Sequence, residues 1–443
     1  MHADRKVTRM PEQEAFAIPR LRPQISLLAG VALAIGMVVG SGLFGLPGLA
    51  LQAGSPQEAA VGWLVGAMAS VPLVWVFAVL GARFASAAGL AYYAEIALGP
   101  SAAFAVSSVL LGTFALGVPG LAMIGASYAL PFLGLEATAL LPIAAVFILL
   151  AVLFNIAGVK TSNAVNCLSL LLMVLAVVLL GFLHPDELTA GVALWLQPDW
   201  SKVNVDEVWR ISALLFWAFI GWESLSFGLE EFRDPQRTIR WVYMLSFGVV
   251  SLLYGALAAI TNGAALSGLP MDRTESAAAL VPAQWRNAFT LVIVVIILAN
   301  ANAWVFGVSR LVFAAGKSGL LPATVGRVDR RGLPRNAIIL AGAFFALVLG
   351  MVKVFRLEIA DLVMIVSQNF VALYLVCLLC YWKVTRGVQR WIVTSLALVS
   401  CSFLLVGFNY RILYPIALFL FGIAIHRRQY PHHLQTEEPR SDP

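Results

Sequence analysis

Apolar residues run through the chain in long windows, separated by short clusters of Gly, Pro and charged residues. Twelve such windows fall near 24–52, 57–82, 100–131, 137–158, 164–184, 207–230, 240–266, 285–315, 335–352, 359–382, 390–407 and 409–426. A helix needs roughly 20 apolar residues to cross the hydrocarbon core of a bilayer, and these windows are of that order. The pattern predicts an all-α polytopic membrane protein with about 12 transmembrane helices.

Composition sharpens this into an exclusion. Of 443 residues, 60% are hydrophobic and 12% charged, against roughly 25% charged in soluble domains. A water-soluble chain of this size has no interior large enough for that much apolar surface. Soluble enzymes and nucleic-acid-binding proteins are therefore set aside, despite a net charge of +6. The positive charge has a membrane explanation, because cytoplasmic loops collect Lys and Arg. On alternate loops and the two tails fall 22 of the 29 Lys and Arg residues, which predicts that both termini are cytoplasmic. The N-terminus is polar and basic up to Arg22, unlike a cleavable signal peptide. Cys167, Cys377, Cys380 and Cys401 lie in apolar runs, and the five histidines lie in tails or loops. Neither set forms a metal or redox constellation, and no cofactor is expected.

Two windows carry the same defect. The first contains Gly36-Met37-Val38-Val39-Gly40-Ser41-Gly42-Leu43-Phe44 and the sixth contains Phe219-Ile220-Gly221-Trp222-Glu223-Ser224, both near mid-membrane. Glycine costs about 1 kcal/mol inside a helix, so such clusters invite a break. Close helix packing by small residues is the plain alternative for either cluster alone. As a pair they say more: they lie five windows apart, an odd number, so the second half enters from the opposite side. Matching interruptions in two inverted halves point to a transporter's midplane site.

A broken helix exposes carbonyls where its first half ends and N–H groups where its second begins. These ends attract a cation and an anion side by side, and a zwitterionic amino acid is such a pair. The N–H groups after Gly40, with the Ser41 hydroxyl, are expected to take the carboxylate. Carbonyls around Met37 and Val38, and around Trp217 and Ile220, are expected to take the ammonium. Glu223 is the acidic residue set deep in a span, where insertion costs about 2.5–3.5 kcal/mol on translocon scales. Three roles stand open for it: proton carrier, hydrogen-bonding brace of the unwound segment, or a permanently protonated group on backbone carbonyls. Trp304 in the eighth window is a candidate pocket wall, and Trp217 and Trp222 flank the second break. Thr113 and Gly117, beside Gly112 and Gly120, form a mildly polar patch that packing alone also explains.

These residues resemble a known family. Gly40-Ser41-Gly42-Leu43-Phe44 with Pro47 resembles the first-helix signature of the amino acid–polyamine–organocation (APC) transporters, and Phe216 to Glu223 resembles their sixth-helix break. Glu230-Glu231 with Asp234-Pro235-Gln236-Arg237, Arg310 followed by Gly319-Leu320-Leu321-Pro322, and Pro334 continue the likeness over roughly residues 24–430. Phe77 to Gly81 and Ser86 to Gly89 are most similar to the bacterial branch exporting methionine and branched-chain amino acids. The resemblance implies a LeuT-like fold of two inverted five-helix repeats plus two C-terminal helices. On that reading 1–23 is a cytoplasmic tail, 24–184 the first repeat, 207–383 the second, 384–426 the last two helices and 427–443 a cytoplasmic tail.

By motif, the resemblance assigns Ser41 and Gly42 to the carboxylate, carbonyls of Val38, Trp217 and Ile220 to the ammonium, Trp304 to the substrate wall and Glu223 to proton coupling. Met37, Gly40, Thr113 and Gly221 complete the expected site. Some members carry a lysine in the fifth helix; here Asn155, Gly158 and Lys160 match the lead-in, but the expected position falls near Met173. A lysine-centred proton mechanism is thereby excluded, and Glu223 remains the intramembrane candidate. The expected function is secondary active transport across a bacterial inner membrane, as proton-antiport export of Leu, Ile, Val or Met. Proton-coupled uptake or exchange is the alternative, and a non-transporting accessory subunit a remote one. Expected partners are the amino-acid substrate, a proton and membrane lipid, with no nucleic acid. The chain is expected to act as a monomer or homodimer.

Overall fold

The computed structural model describes residues 25–84, 89–158, 163–226, 229, 232–317, 319–408 and 410–430. These residues are helical almost throughout. In chain order come α1 (Leu27–Val38), α2 (Ser41–Ala53), α3 (Pro56–Arg83), α4 (Gly89–Leu98), α5 (Pro100–Leu133), α6 (Leu140–Ala157), α7 (Asn163–Leu183) and α8 (Pro185–Leu196). They are followed by α9 (Val205–Leu215), α10 (Trp222–Ser226), α11 (Pro235–Leu266), α12 (Ala283–Lys317), α13 (Arg335–Phe355), α14 (Ile359–Val384), α15 (Val388–Val406) and α16 (Leu413–Gln429).

Among the described residues nine helices are long and apolar enough to cross a membrane, and counting each of two bent pairs as one span gives up to eleven. The remaining expected crossing, 207–230, is divided between α9, a 3-10 turn over Phe216–Phe219 and α10. The chain is an all-α polytopic membrane protein.

Local chemistry explains where the helices start. Ser55 and Glu58 form a capping box ahead of α3, with Pro56 in its first turn. This satisfies N–H groups that a helix start otherwise leaves bare. Asp234 caps α11 through the Arg237 N–H, with Pro235 at the first position. Among the long apolar helices α5, α14 and α3 are the most enclosed: 78% of the apolar window of α5 is buried, against 17% for α15 and α16. The core therefore lies around α5, and the last two helices stand at the lipid-facing edge.

Two helices lie outside the expected windows. α4 packs on α5 and α14. α8 turns 98° from the apolar part of α7 and runs against α11. A Cβ on Gly191 would sit 1.9 Å from the Ala259 carbonyl oxygen, and one on Gly263 1.8 Å from that of Glu187. Backbone thus meets backbone, which a side chain at either position would prevent. The Trp195 indole N–H donates to the Ala60 carbonyl at 2.6 Å, tying α8 to α3 as well. The start of α8, Pro185-Asp186-Glu187, is an ordinary helix-start signal, overlooked because the segment is not apolar enough to span.

Candidate functional site

Both glycine clusters are interruptions in the structure. α1 stops at Val38, α2 starts at Ser41, and their axes differ by 45°. The small residues let three other elements approach. A Cβ on Gly40 would lie 2.3 Å from Asn300 Oδ1 of α12. One on Gly42 would lie 2.7 Å from the Tyr254 hydroxyl of α11 and 3.1 Å from Trp217 Cδ1. Ser41 is buried, and the first turn of α2 begins at this crowded point. The result is a helix N-terminus, with its partial positive charge, set in the protein interior.

The second break is built differently. α9 tightens into the 3-10 turn, Ile220 is extended, and Gly221 adopts φ +113° before α10 begins. That left-handed φ suits glycine, and a Cβ there would also press on Val38 Cα at 3.1 Å and the Met37 carbonyl oxygen at 3.2 Å. The two breaks are therefore in direct backbone contact. Glu223, two residues beyond Gly221, is fully buried. Its Oε2 accepts the Gly221 N–H at 3.1 Å, while the buried Oε1 makes no hydrogen bond of normal geometry, the Ser224 and Tyr374 side chains also facing the carboxyl.

Aromatic rings close the space beside the breaks. Trp217 and Trp304 lie face to face, with centroids 6.0 Å apart and planes 11° from parallel. Phe114 meets Trp304 edge-on at 5.5 Å. Gly117 and Gly120 make room for them: a Cβ on Gly117 would stand 2.9 Å from Trp304 Cζ3 and one on Gly120 3.8 Å from Trp217 Cη2.

Of the expected site residues, Met37, Val38, Gly40, Ser41, Gly42, Trp217, Ile220, Gly221 and Glu223 fall at the two breaks, and Trp304 joins them through Trp217. Thr113 has a different setting: it is fully buried and its hydroxyl donates to the Val109 carbonyl of its own helix at 2.6 Å. Trp222 turns away from Trp217. Its indole donates to the Phe219 carbonyl at 2.9 Å, and its ring packs on Tyr243 and Phe247. Glu230-Glu231, Lys160 and Ser86 lie outside the described residues. Met173, near the position where the resemblance expects a fifth-helix lysine, is 3% exposed. Among the described residues no group of three His, Cys, Asp or Glu side chains is placed to hold a metal.

Sequence reading passed over several buried polar residues. Asn155 of α6 donates to the Asn302 side chain of α12 at 2.8 Å, and Ser367, Gln368 and Asn369 of α14 are fully buried. Asn300 and Tyr254 border the first break. Polar residues in mid-span are the signal that finds the amides. Tyr254 carries no such signal, since tyrosine in an apolar run reads as packing.

A helical bundle with two abutting half-helix breaks and an aromatic wall is a transporter's architecture. The sequence profile described as amino acid permease matches residues 25–426. The chain belongs to the amino acid permease family, within the APC superfamily. It is similar to the amino acid permease YecA of Bacillus subtilis, with 26% identity over 90% of this chain and 95% of that one. It is also similar to the L-methionine/branched-chain amino acid exporter YjeH of Escherichia coli, at 24% identity over 90% and 94%. The cadaverine/lysine antiporter of Escherichia coli is 26% identical over 72% of each chain.

Proposed function

We propose that this permease exports small hydrophobic amino acids, with Leu, Ile, Val and Met as substrates, in exchange for protons. The observation that carries the proposal is the meeting of the two breaks, with Gly221 against Val38 and Gly42 against Trp217. Helix-end N–H groups after Gly40 and Ser41 bind the carboxylate, and carbonyls of Met37, Val38, Trp217 and Ile220 bind the ammonium. The side chain then rests against Trp217 and Trp304. A charged side chain would lose its hydration there without a partner, so the wall favours apolar substrates. YjeH, named for export of methionine and branched-chain amino acids, is a relative over 90% of the chain.

On this reading Glu223 carries the proton. One carboxyl oxygen braces Gly221, and the other is left for the proton that comes and goes. Residues 24–184 and 207–383 act as inverted repeats rocking about the breaks, in a bacterial inner membrane with both termini cytoplasmic. The test is transport in proteoliposomes with labelled amino acids, with and without a pH gradient. Leu, Ile, Val and Met should compete and be driven by the gradient. Strong competition by Arg or Glu, or indifference to the gradient, would overturn the proposal.

A further inference from the structure

We infer that Tyr254 is a positioning residue for substrate, its phenol O–H donating to the substrate carboxylate at the start of α2; this rests on the reading that an amino acid binds at the first break. The phenol is 1% exposed and sits in the middle of α11. Its ring is held on two sides, stacked on Trp63 at 5.4 Å and 29° and tilted against Phe219 at 6.1 Å. The hydroxyl borders Gly42, where a Cβ would lie 2.7 Å away.

The hydroxyl has no hydrogen-bond partner. A buried donor in that state carries its desolvation cost without return, and phenylalanine would fill the same space without it. Tyr128 and Tyr243 near the breaks are satisfied, donating to the Phe44 carbonyl at 2.8 Å and the Trp222 carbonyl at 3.1 Å, whereas Tyr374, edge-on to Phe216, shares with Tyr254 an unpaired hydroxyl but does not border Gly42. Tyr254 therefore holds a donor in reserve at a helix N-terminus. Both the phenol and the helix end favour an acceptor bearing negative charge, and a substrate carboxylate is the anion that an amino-acid permease brings there. Trp217 Cδ1 borders the same point at 3.1 Å, so a group reaching Gly42 meets the phenol and the edge of the substrate wall together.

The experiment uses the purified full-length permease, measuring leucine and leucinamide affinity by competition and thermal stability without ligand. Leucinamide keeps the ammonium and side chain but replaces the carboxylate. Tyr254→Phe should leave ligand-free stability unchanged or raised, because it removes an unsatisfied group. It should weaken leucine at least tenfold, about 1.4 kcal/mol, and leave leucinamide within about twofold. A purely structural phenol would instead lower stability and weaken both ligands alike. Gly42→Ala supplies a second variant, since its methyl would crowd the hydroxyl: the double variant should lose less than the product of the two single losses. Unchanged leucine affinity in Tyr254→Phe overturns the inference alone. Wild-type protein that binds cadaverine but no amino acid overturns both the inference and the function it rests on.

Discussion

The two breaks stand at matching places in the chain, yet they are made of opposite materials. The first is bare: Gly36, Gly40 and Gly42 surround a 45° bend, and two full helices of 12 and 13 residues flank it. The second is crowded with Phe216, Trp217, Phe219 and Trp222, and the chain there passes from a 3-10 turn into α10. Each supplies what the other lacks. The first brings a helix terminus to the interior and strips away side chains so that other elements can reach it. The second brings rings and a carboxyl, and it needs a glycine only where Gly221 must pass Val38 with φ at +113°. On the proposed function, backbone recognises at one break, and side chains shape and couple at the other.

The comparison is broken most directly at Gly42. Gly42→Leu pushes a branched side chain into the space of Tyr254 and Trp217. Overpacking of this kind costs about 1–3 kcal/mol, and the proposed carboxylate site is covered as well. We expect normal membrane insertion and a loss of leucine binding of at least about 100-fold. Unchanged binding would show that the first break is packing alone.

Glu223 tests the side-chain half. Glutamine can still accept the Gly221 N–H but cannot titrate. Glu223→Gln is expected to bind and exchange substrate at near wild-type levels while losing gradient-driven accumulation in proteoliposomes. Glu223→Ala also leaves the buried Gly221 N–H unpaired, a penalty of about 1–3 kcal/mol, and should lower thermal stability too. Full pH-driven transport by Glu223→Gln would reduce the carboxyl to a brace.

Gly221→Ala probes the backbone contact between the breaks. The left-handed φ costs a non-glycine residue of order 1–3 kcal/mol, and the new methyl faces Val38 Cα at 3.1 Å. A lowered melting temperature with weakened binding is expected. The smallest effect serves as the control. A Cβ on Gly248, on the outer face of α11, meets nothing within 4 Å. Gly248→Ala should leave transport unchanged and stabilise by up to about 1 kcal/mol, read as a small upward shift in melting temperature.

The chain's own pattern determined the number and rough ends of the apolar windows, because a bilayer demands long apolar runs whatever packs beside them. It determined the two breaks as well, since glycine clusters weaken a helix locally and Glu223 is conspicuous in hydrocarbon. Only tertiary structure could bring Gly221 onto Val38 and lay Trp217 along Trp304, residues 183 and 87 positions apart in sequence. It alone separated Trp217, whose ring enters the space beside the breaks, from Trp222, whose indole turns back on Phe219. It also revealed α8, which closes on α11 by backbone approach at Gly191 and Gly263. Periodicity records where apolar surface must go; it carries no record of which backbone meets which, or of a single hydroxyl such as that of Tyr254 left without a partner. Those depend on distances between segments far apart in the chain, and such distances exist only once the helices have packed.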